Sequence, residues 1–97
     1  RRIAALSRAF HVPYAPHTGS CSAVCLAATL QFAVALPNFL IFEFMQSDWS
    51  KAQPNPFRHD LLEEPVERLV DGAMEVPEAP GIGVRLNMDV VDRYRVA

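Results

Sequence analysis

The sequence predicts a parallel α/β architecture, and three observations carry that prediction. Two short extended segments, His11–His17 and Phe39–Phe44, flank a single strongly apolar helical stretch. The links between them are only a few residues long, as between the elements of a βα unit. From Ala9 to Phe42 there is no Asp, Glu, Lys or Arg, so this part reads as interior, and the first charge after Arg8 is Glu43. The order extended segment ending in His17, helix, extended segment carrying Glu43 is the layout expected when two βα units aim polar groups at one cleft. A carboxylate at the end of a buried strand is unfavourable unless paired, hydrogen-bonded or protonated. Glu43 is therefore a functional candidate on its placement alone.

Each element has a local reason. Ile3 to Phe10 reads as a helix end, with Ile3, Leu6 and Phe10 at helical spacing on one face. From His11 to His17 the chain is extended, because Pro13 and Pro16 exclude helix and bias Val12 and Ala15 toward β geometry. Thr18-Gly19-Ser20 is a short turn, and Ser20 or Ser22 can cap the helix that follows. That helix runs to about Leu36, where Pro37-Asn38 stops it. Phe39–Phe44 is a continuous apolar run, suited to a strand buried on both faces of a parallel sheet. Two strands cannot close a barrel or cover so apolar a helix, so the chain is expected to be part of something larger.

Beyond Gln46 the character changes. Residues 47–60 are loop-like, with Pro54, Pro56 and several turn formers. Glu67–Val76 reads as a hairpin about Asp71-Gly72, a pair suited to a type I′ turn. Glu78–Val84 is irregular, and Met88–Tyr94 is a short terminal helix with Asn87 as its cap. There is no internal repeat and no low-complexity tract. The domain reading follows: residues 1–49 hold the βα units, and residues 50–97 form a surface-rich C-terminal segment with most of the acids.

Composition excludes some functions. A chain of 97 residues, 51% hydrophobic with formal net charge −2, suits one small globular domain and offers no basic surface for nucleic acid. The apolar stretch Ala23–Leu36 is too short for the roughly 20 residues that span a bilayer. Arg1-Arg2 is not followed by a signal-peptide pattern. Cys21 and Cys25, the only cysteines, read as small buried residues in a reducing compartment, neither a disulfide nor a zinc site. A cytoplasmic location is expected.

The segments VPYAPH, LPNFLIFEF and DGAMEVPEAPGIGVRLN together resemble the C-terminal portion of the mandelate racemase/muconate lactonizing family of the enolase superfamily, nearest its mandelate racemase branch. The resemblance covers nearly the whole chain. It implies a modified TIM barrel, (β/α)7β, with an α+β capping domain. His11–His17 would be the seventh strand and Phe39–Phe44 the eighth, and the tail would return to the cap. It also implies magnesium, held by acids on the third to fifth strands, which lie upstream of this segment, as would a sixth-strand Asp partner for the histidine. The implied partners are a small carboxylate substrate, the remainder of the barrel and cap, and further copies of the chain in a homo-oligomer.

His17 matches the family's seventh-strand catalytic histidine. An imidazole titrates near neutral pH and suits proton transfer. The resemblance implies removal of the proton α to a carboxylate or, in dehydratases, assistance to the departing β-hydroxyl. Glu43 matches the eighth-strand glutamate, implied to hydrogen-bond a substrate carboxylate oxygen as the protonated acid, where donors are needed as charge develops. Both are thus expected in catalysis and substrate binding. Without the family, His17 reads as a loop histidine bonded to backbone; for Glu43, a functional candidate on its placement, the alternative is half of a buried structural ion pair.

Other residues carry less. His11 begins the strand at the end remote from the site and reads as structural, while His59 reads as solvated. Phe44, Met45 and Trp49 are packing residues that could also wall a pocket. Gly81 and Gly83 are turn glycines, and Asp60, Glu63, Glu64 and Glu67 form a solvated acidic face. The leading function is a magnesium-dependent acid-sugar dehydratase, with a racemase or epimerase of an α-hydroxy acid next. A non-catalytic fragment acting as an interaction module is the third reading.

Overall fold

A computed structural model describes residues 1–19, 21–45 and 55–96. The chain runs α1 (Arg2–Ala9), α2 (Ala23–Val34), α3 (Pro56–His59), β1 (Leu69–Val70), β2 (Ala73–Met74) and α4 (Met88–Arg93).

Helix α1 ends in a Schellman motif. The N–H of His11 donates to Arg8 O at 3.0 Å and that of Val12 to Ser7 O at 2.8 Å. The motif requires a left-handed residue after the cap, and His11 fills it with φ 57°. His11 is thus structural, but as the stop of α1 rather than the first strand residue. Ile3, Leu6 and Phe10, the apolar face read from the spacing, are 77%, 62% and 72% exposed, and Ala4 is the buried residue of the helix.

The two extended segments pair in parallel through two bridges, Tyr14 with Phe39 and His17 with Glu43. Tyr14 N donates to Asn38 O at 2.8 Å, and Leu40 N to Tyr14 O at 3.0 Å. A regular ladder would next have residue 16 donate to Leu40 O and accept from Phe42 N. Pro16 has no N–H to give. Its carbonyl accepts instead from Glu43 N at 2.9 Å, one residue further on. Three residues on the first segment therefore oppose four on the second, a one-residue bulge. Because of it His17 lies beside Glu43, where an unbroken ladder would have placed Phe42.

Helix α2 starts at Ser22, whose hydroxyl accepts from Cys25 N at 3.4 Å. Of the two predicted caps, Ser22 is therefore the one used; Ser20 lies outside the described residues. The buried residues Ala23, Leu26, Ala27, Leu30 and Ala33 make one face. Leu62 and Val66 of the C-terminal segment complete its core, with Phe42, Phe44, Met74, Ile82 and Val84 packed around it. Tyr14 meets Phe32 edge to face, with ring centroids 5.9 Å apart. Within this chain Phe39–Phe44 is covered on one side, by α2. Phe42 and Phe44 turn toward α2, whereas Leu40 and Ile41 are 65% and 62% exposed. The segment has a single paired neighbour among the described residues.

The tail closes on itself and on α2. Leu62 pairs with Leu86, with Glu63 N donating to Arg85 O and Asn87 N to Leu61 O. The predicted hairpin forms with Val70 opposite Ala73, and Asp71 and Gly72 take the positive φ values, 50° and 78°, of a type I′ turn. Gly81 and Gly83 also have positive φ, as turn glycines should. A Cβ on Gly83 would lie within 2.6 Å of Pro77 O. That close approach brings the carbonyls of Pro77 and Ile82 to the amide of Gln31, which donates to both. Asn87 precedes α4 as expected but makes no side-chain cap bond. Helix α3 interrupts the predicted loop: Asn55 accepts from Phe57 N at 3.0 Å and Pro56 is the first helical residue. The remainder of that predicted loop, up to Pro54, lies outside the described residues.

Two stability measurements check this account. His11→Gly should stabilise the protein by about 0.5–1 kcal/mol in a denaturant titration, by relieving a left-handed side chain. Gln31→Leu should cost about 1–3 kcal/mol, because two carbonyls lose a shared donor, and should hasten proteolysis of the tail.

Candidate functional site

The site is built where the two paired segments end. His17 and Glu43 are bridge partners, so their side chains project side by side. His17 Nδ1 lies 3.2 Å from Glu43 Oε2. On the other side of the ring, the backbone N–H of Gly19 donates to His17 Nε2 at 3.1 Å. In the neutral imidazole, an Nε2 that accepts from Gly19 goes with a hydrogen on Nδ1, the nitrogen that faces Glu43 Oε2.

Burial differs from expectation. The side chains of His17 and Glu43 are 52% and 63% exposed in this chain. The carboxylate projects from the open end of the segment, beyond Phe42, which packs on the core. An ion pair this exposed contributes little to stability.

Thr18 and Cys21, which follow His17, both have hydrogen-bonded carbonyls. Thr18 is 4% exposed, its carbonyl accepts from Cys21 Sγ at 3.5 Å, and the Cys21 carbonyl accepts from Arg58 Nε of α3 at 3.3 Å. Burial and the adjacent Cys25 push the Cys21 thiol up, which keeps it protonated and a poor nucleophile. Both cysteines are free. Cys25, predicted to be buried, is exposed, because it lies off the core-facing stripe of α2.

Several other readings change. His59 is not solvated: its Nδ1 lies 3.6 Å from Glu67 Oε1, with the two side chains only 17% and 15% exposed. Glu67 thereby leaves the predicted acidic face, while Asp60, Glu63 and Glu64 remain exposed. Phe44 packs against the core and Met45 is exposed. Trp49 lies outside the described residues. Gly19 and Arg58 escaped the sequence reading; the signal for Gly19 was its place two residues after a candidate histidine. No three His, Cys, Asp or Glu side chains among the described residues are grouped so as to hold a metal. No helix among them is long and apolar enough to cross a membrane.

Two parallel extended segments joined by a buried helix, with a histidine and a carboxylate at their common end, form a βα unit of an α/β protein. Residues 1–90 match the family described as Enolase C-terminal domain-like. The chain belongs to the enolase superfamily, among the mandelate racemase/muconate lactonizing enzymes. It is 36% identical, over 99% of its length, to D-xylonate dehydratase of Haloferax volcanii and 33% identical, over 99%, to D-galactarolactone cycloisomerase of Agrobacterium fabrum. It spans 21% and 25% of those two proteins. A crystal structure of an enolase superfamily member from Polaromonas sp. JS666 superimposes with a TM-score of 0.75 at 33% identity, covering 99% of this chain and 23% of that one.

If the pair is there for chemistry rather than stability, Glu43→Gln should shift the unfolding free energy by less than about 1 kcal/mol. A larger loss in a urea titration would mark the pair as a structural ion bridge.

Proposed function

We propose that the full-length protein is an acid-sugar dehydratase, with His17 as its acid–base residue and Glu43, beside it, as the residue that faces the substrate. The observation that carries this reading is the imidazole held between Glu43 and the Gly19 amide, at the shared end of two paired segments. The names of the relatives support the substrate class: D-xylonate dehydratase, and D-gluconate dehydratase of Thermoproteus tenax at 32% identity. A sugar acid has an acidic C–H beside its carboxylate and a hydroxyl on the next carbon. Dehydration breaks that C–H bond and the neighbouring C–O bond, forms a double bond between the two carbons, and releases water.

His17 suits the proton-transfer part because Nε2 carries a lone pair while Nδ1–H faces Glu43. Proton gain at Nε2 gives an imidazolium that the adjacent carboxylate stabilises. The same residue, once protonated, can deliver that proton to the departing hydroxyl. The second oxygen of Glu43 is left to contact the substrate. The described residues do not fit magnesium, which the family usually employs, so its ligands would be other side chains, and the roles given to His17 and Glu43 do not depend on it.

In this reading residues 1–49 supply the seventh and eighth strands of a (β/α)7β barrel, and residues 50–97 join its capping domain. The exposed apolar side chains of Ile3, Leu6, Phe10, Leu40 and Ile41 support it, since the remaining barrel would cover such surface. A cycloisomerase among the relatives favours one other outcome, an isomerase that uses the same proton abstraction without loss of water.

The test is His17→Asn in the full-length protein, assayed with magnesium against D-xylonate, D-gluconate and D-galactonate. Turnover to the dehydrated keto acid should fall by about 100- to 10,000-fold with the fold intact. Unchanged turnover removes His17 from the mechanism. Failure of the wild-type enzyme to dehydrate any sugar acid, with isomerisation observed instead, replaces the dehydratase reading.

A further inference from the structure

We propose that Met45 is a specificity-determining residue of the same site: it walls the end of the substrate remote from the carboxylate, and its thioether favours sugar acids whose chain ends in a methyl group over those ending in a hydroxymethyl. The proposal rests on the reading of Glu43 as the residue that faces the substrate and deepens it.

The placement follows from alternation along the second segment. Phe42 and Phe44 pack on the core formed by α2. In an extended chain the residues next to them point the opposite way. Exposure agrees: the Glu43 side chain is 63% exposed, Met45 is 42% exposed, and Ile41 is 62% exposed. Ile41, Glu43 and Met45 thus form one row on the side away from α2, with the carboxylate between two apolar side chains. His17 joins that side through its bridge to Glu43, since bridged neighbours share a face.

Direction separates the two residues that flank the carboxylate. Both segments run toward the end that carries His17 and Glu43, so Ile41 lies on the inward side of Glu43 and Met45 on the outward side. The inside of a barrel is filled by side chains, and substrates bind at the carboxyl ends of its strands. A sugar acid with its carboxylate at Glu43 and its acidic C–H at His17 therefore extends its remaining carbons outward. Two residues of extended chain span about 7 Å. A sugar acid is of similar length from its carboxylate to its last carbon, so Met45 meets the far end of the chain and not the reacting carbons.

Chemistry then sets the preference. A thioether is flexible, polarizable and apolar, and packs well against C–H and methyl groups. It has no hydrogen to donate, and its sulfur accepts only weakly. A terminal hydroxyl lodged against Met45 gives up water without gaining a partner, whereas a terminal methyl loses nothing. The preference is modest in size, because an apolar wall rejects an added hydroxyl by no more than about 100-fold. It acts on binding and leaves the proton transfer at His17 alone.

The experiment compares D-galactonate with its 6-deoxy analogue, which differs only in lacking the terminal hydroxyl, on full-length protein with magnesium. In the wild type kcat/KM should favour the 6-deoxy acid by about 10-fold. Met45→Gln, similar in length but carrying a donor and an acceptor, should abolish that ratio chiefly through KM, and Met45→Leu should keep it. A second readout needs no turnover. With methyl-13C methionine in His17→Asn protein, the Met45 methyl signal is identified by its loss in Met45→Leu. It should shift when either acid binds and show a nuclear Overhauser effect to the terminal methyl of the 6-deoxy acid. An unaltered ratio in Met45→Gln overturns the proposal, as does a Met45 methyl that ignores bound acid, or a protein that binds neither acid. The Overhauser effect together with isomerisation in place of dehydration keeps Met45 at the wall and fails the dehydratase reading. Dehydration with a silent Met45 methyl does the reverse.

Discussion

The parallel pairing of Tyr14–His17 with Phe39–Glu43 is the interaction on which the site depends, and its register is set by Pro16. A proline inside a paired segment has no hydrogen to give, so the ladder breaks there and resumes one residue later on the partner. Side chains alternate along an extended chain, and a shift of one residue exchanges the set that faces any given neighbour. Phe42 therefore goes to the core on α2 and Glu43 goes to His17. The missing N–H of one residue decides that a carboxylate, not a phenyl ring, stands beside the imidazole.

The energetics of the site and of the fold are largely separate. The fold is held by the buried stripe of α2, by Leu62 and Val66 of the tail, and by the side-chain amide of Asn38, which donates to both Ser7 Oγ and Val12 O. The site is half exposed and held by contacts of modest strength, none of which the core needs. A site of this kind gets its precision from the rigidity of the elements beneath it. Here that rigidity comes from the buried Pro16 and Thr18 on either side of His17.

The sequence made much of this legible. The apolar helix, the Asp-Gly turn, the residue that precedes the last helix and the two polar ends of the charge-free stretch all depend on local chemistry, and local chemistry is written in neighbouring residues. What it concealed depends on long-range geometry. The role of His11 as a helix stop was hidden because glycine, not histidine, is the usual signal for a left-handed cap. The contact of His59 with Glu67 was hidden because both residues are polar and a polar segment reads as solvated. Helix α3 was legible in principle from Asn55-Pro56, a cap followed by a first-turn proline, but Pro54 and Pro56 together looked like a loop. The exposure of Glu43 could not be read from its apolar neighbours, because burial of a segment depends on how many others pair with it.

The amide of Gln31 has a consequence for how the chain is made. Its carbonyl partners, Pro77 and Ile82, lie far along the sequence, and so do Leu62 and Val66, which finish the core of α2. A chain leaving the ribosome presents the helix well before it presents those residues. For that interval the stripe from Ala23 to Ala33 lacks its cover, and non-local contacts of this kind form late and expose apolar surface meanwhile. Biosynthesis thus has a vulnerable window for α2 that closes only when the Pro77–Gly83 loop has emerged.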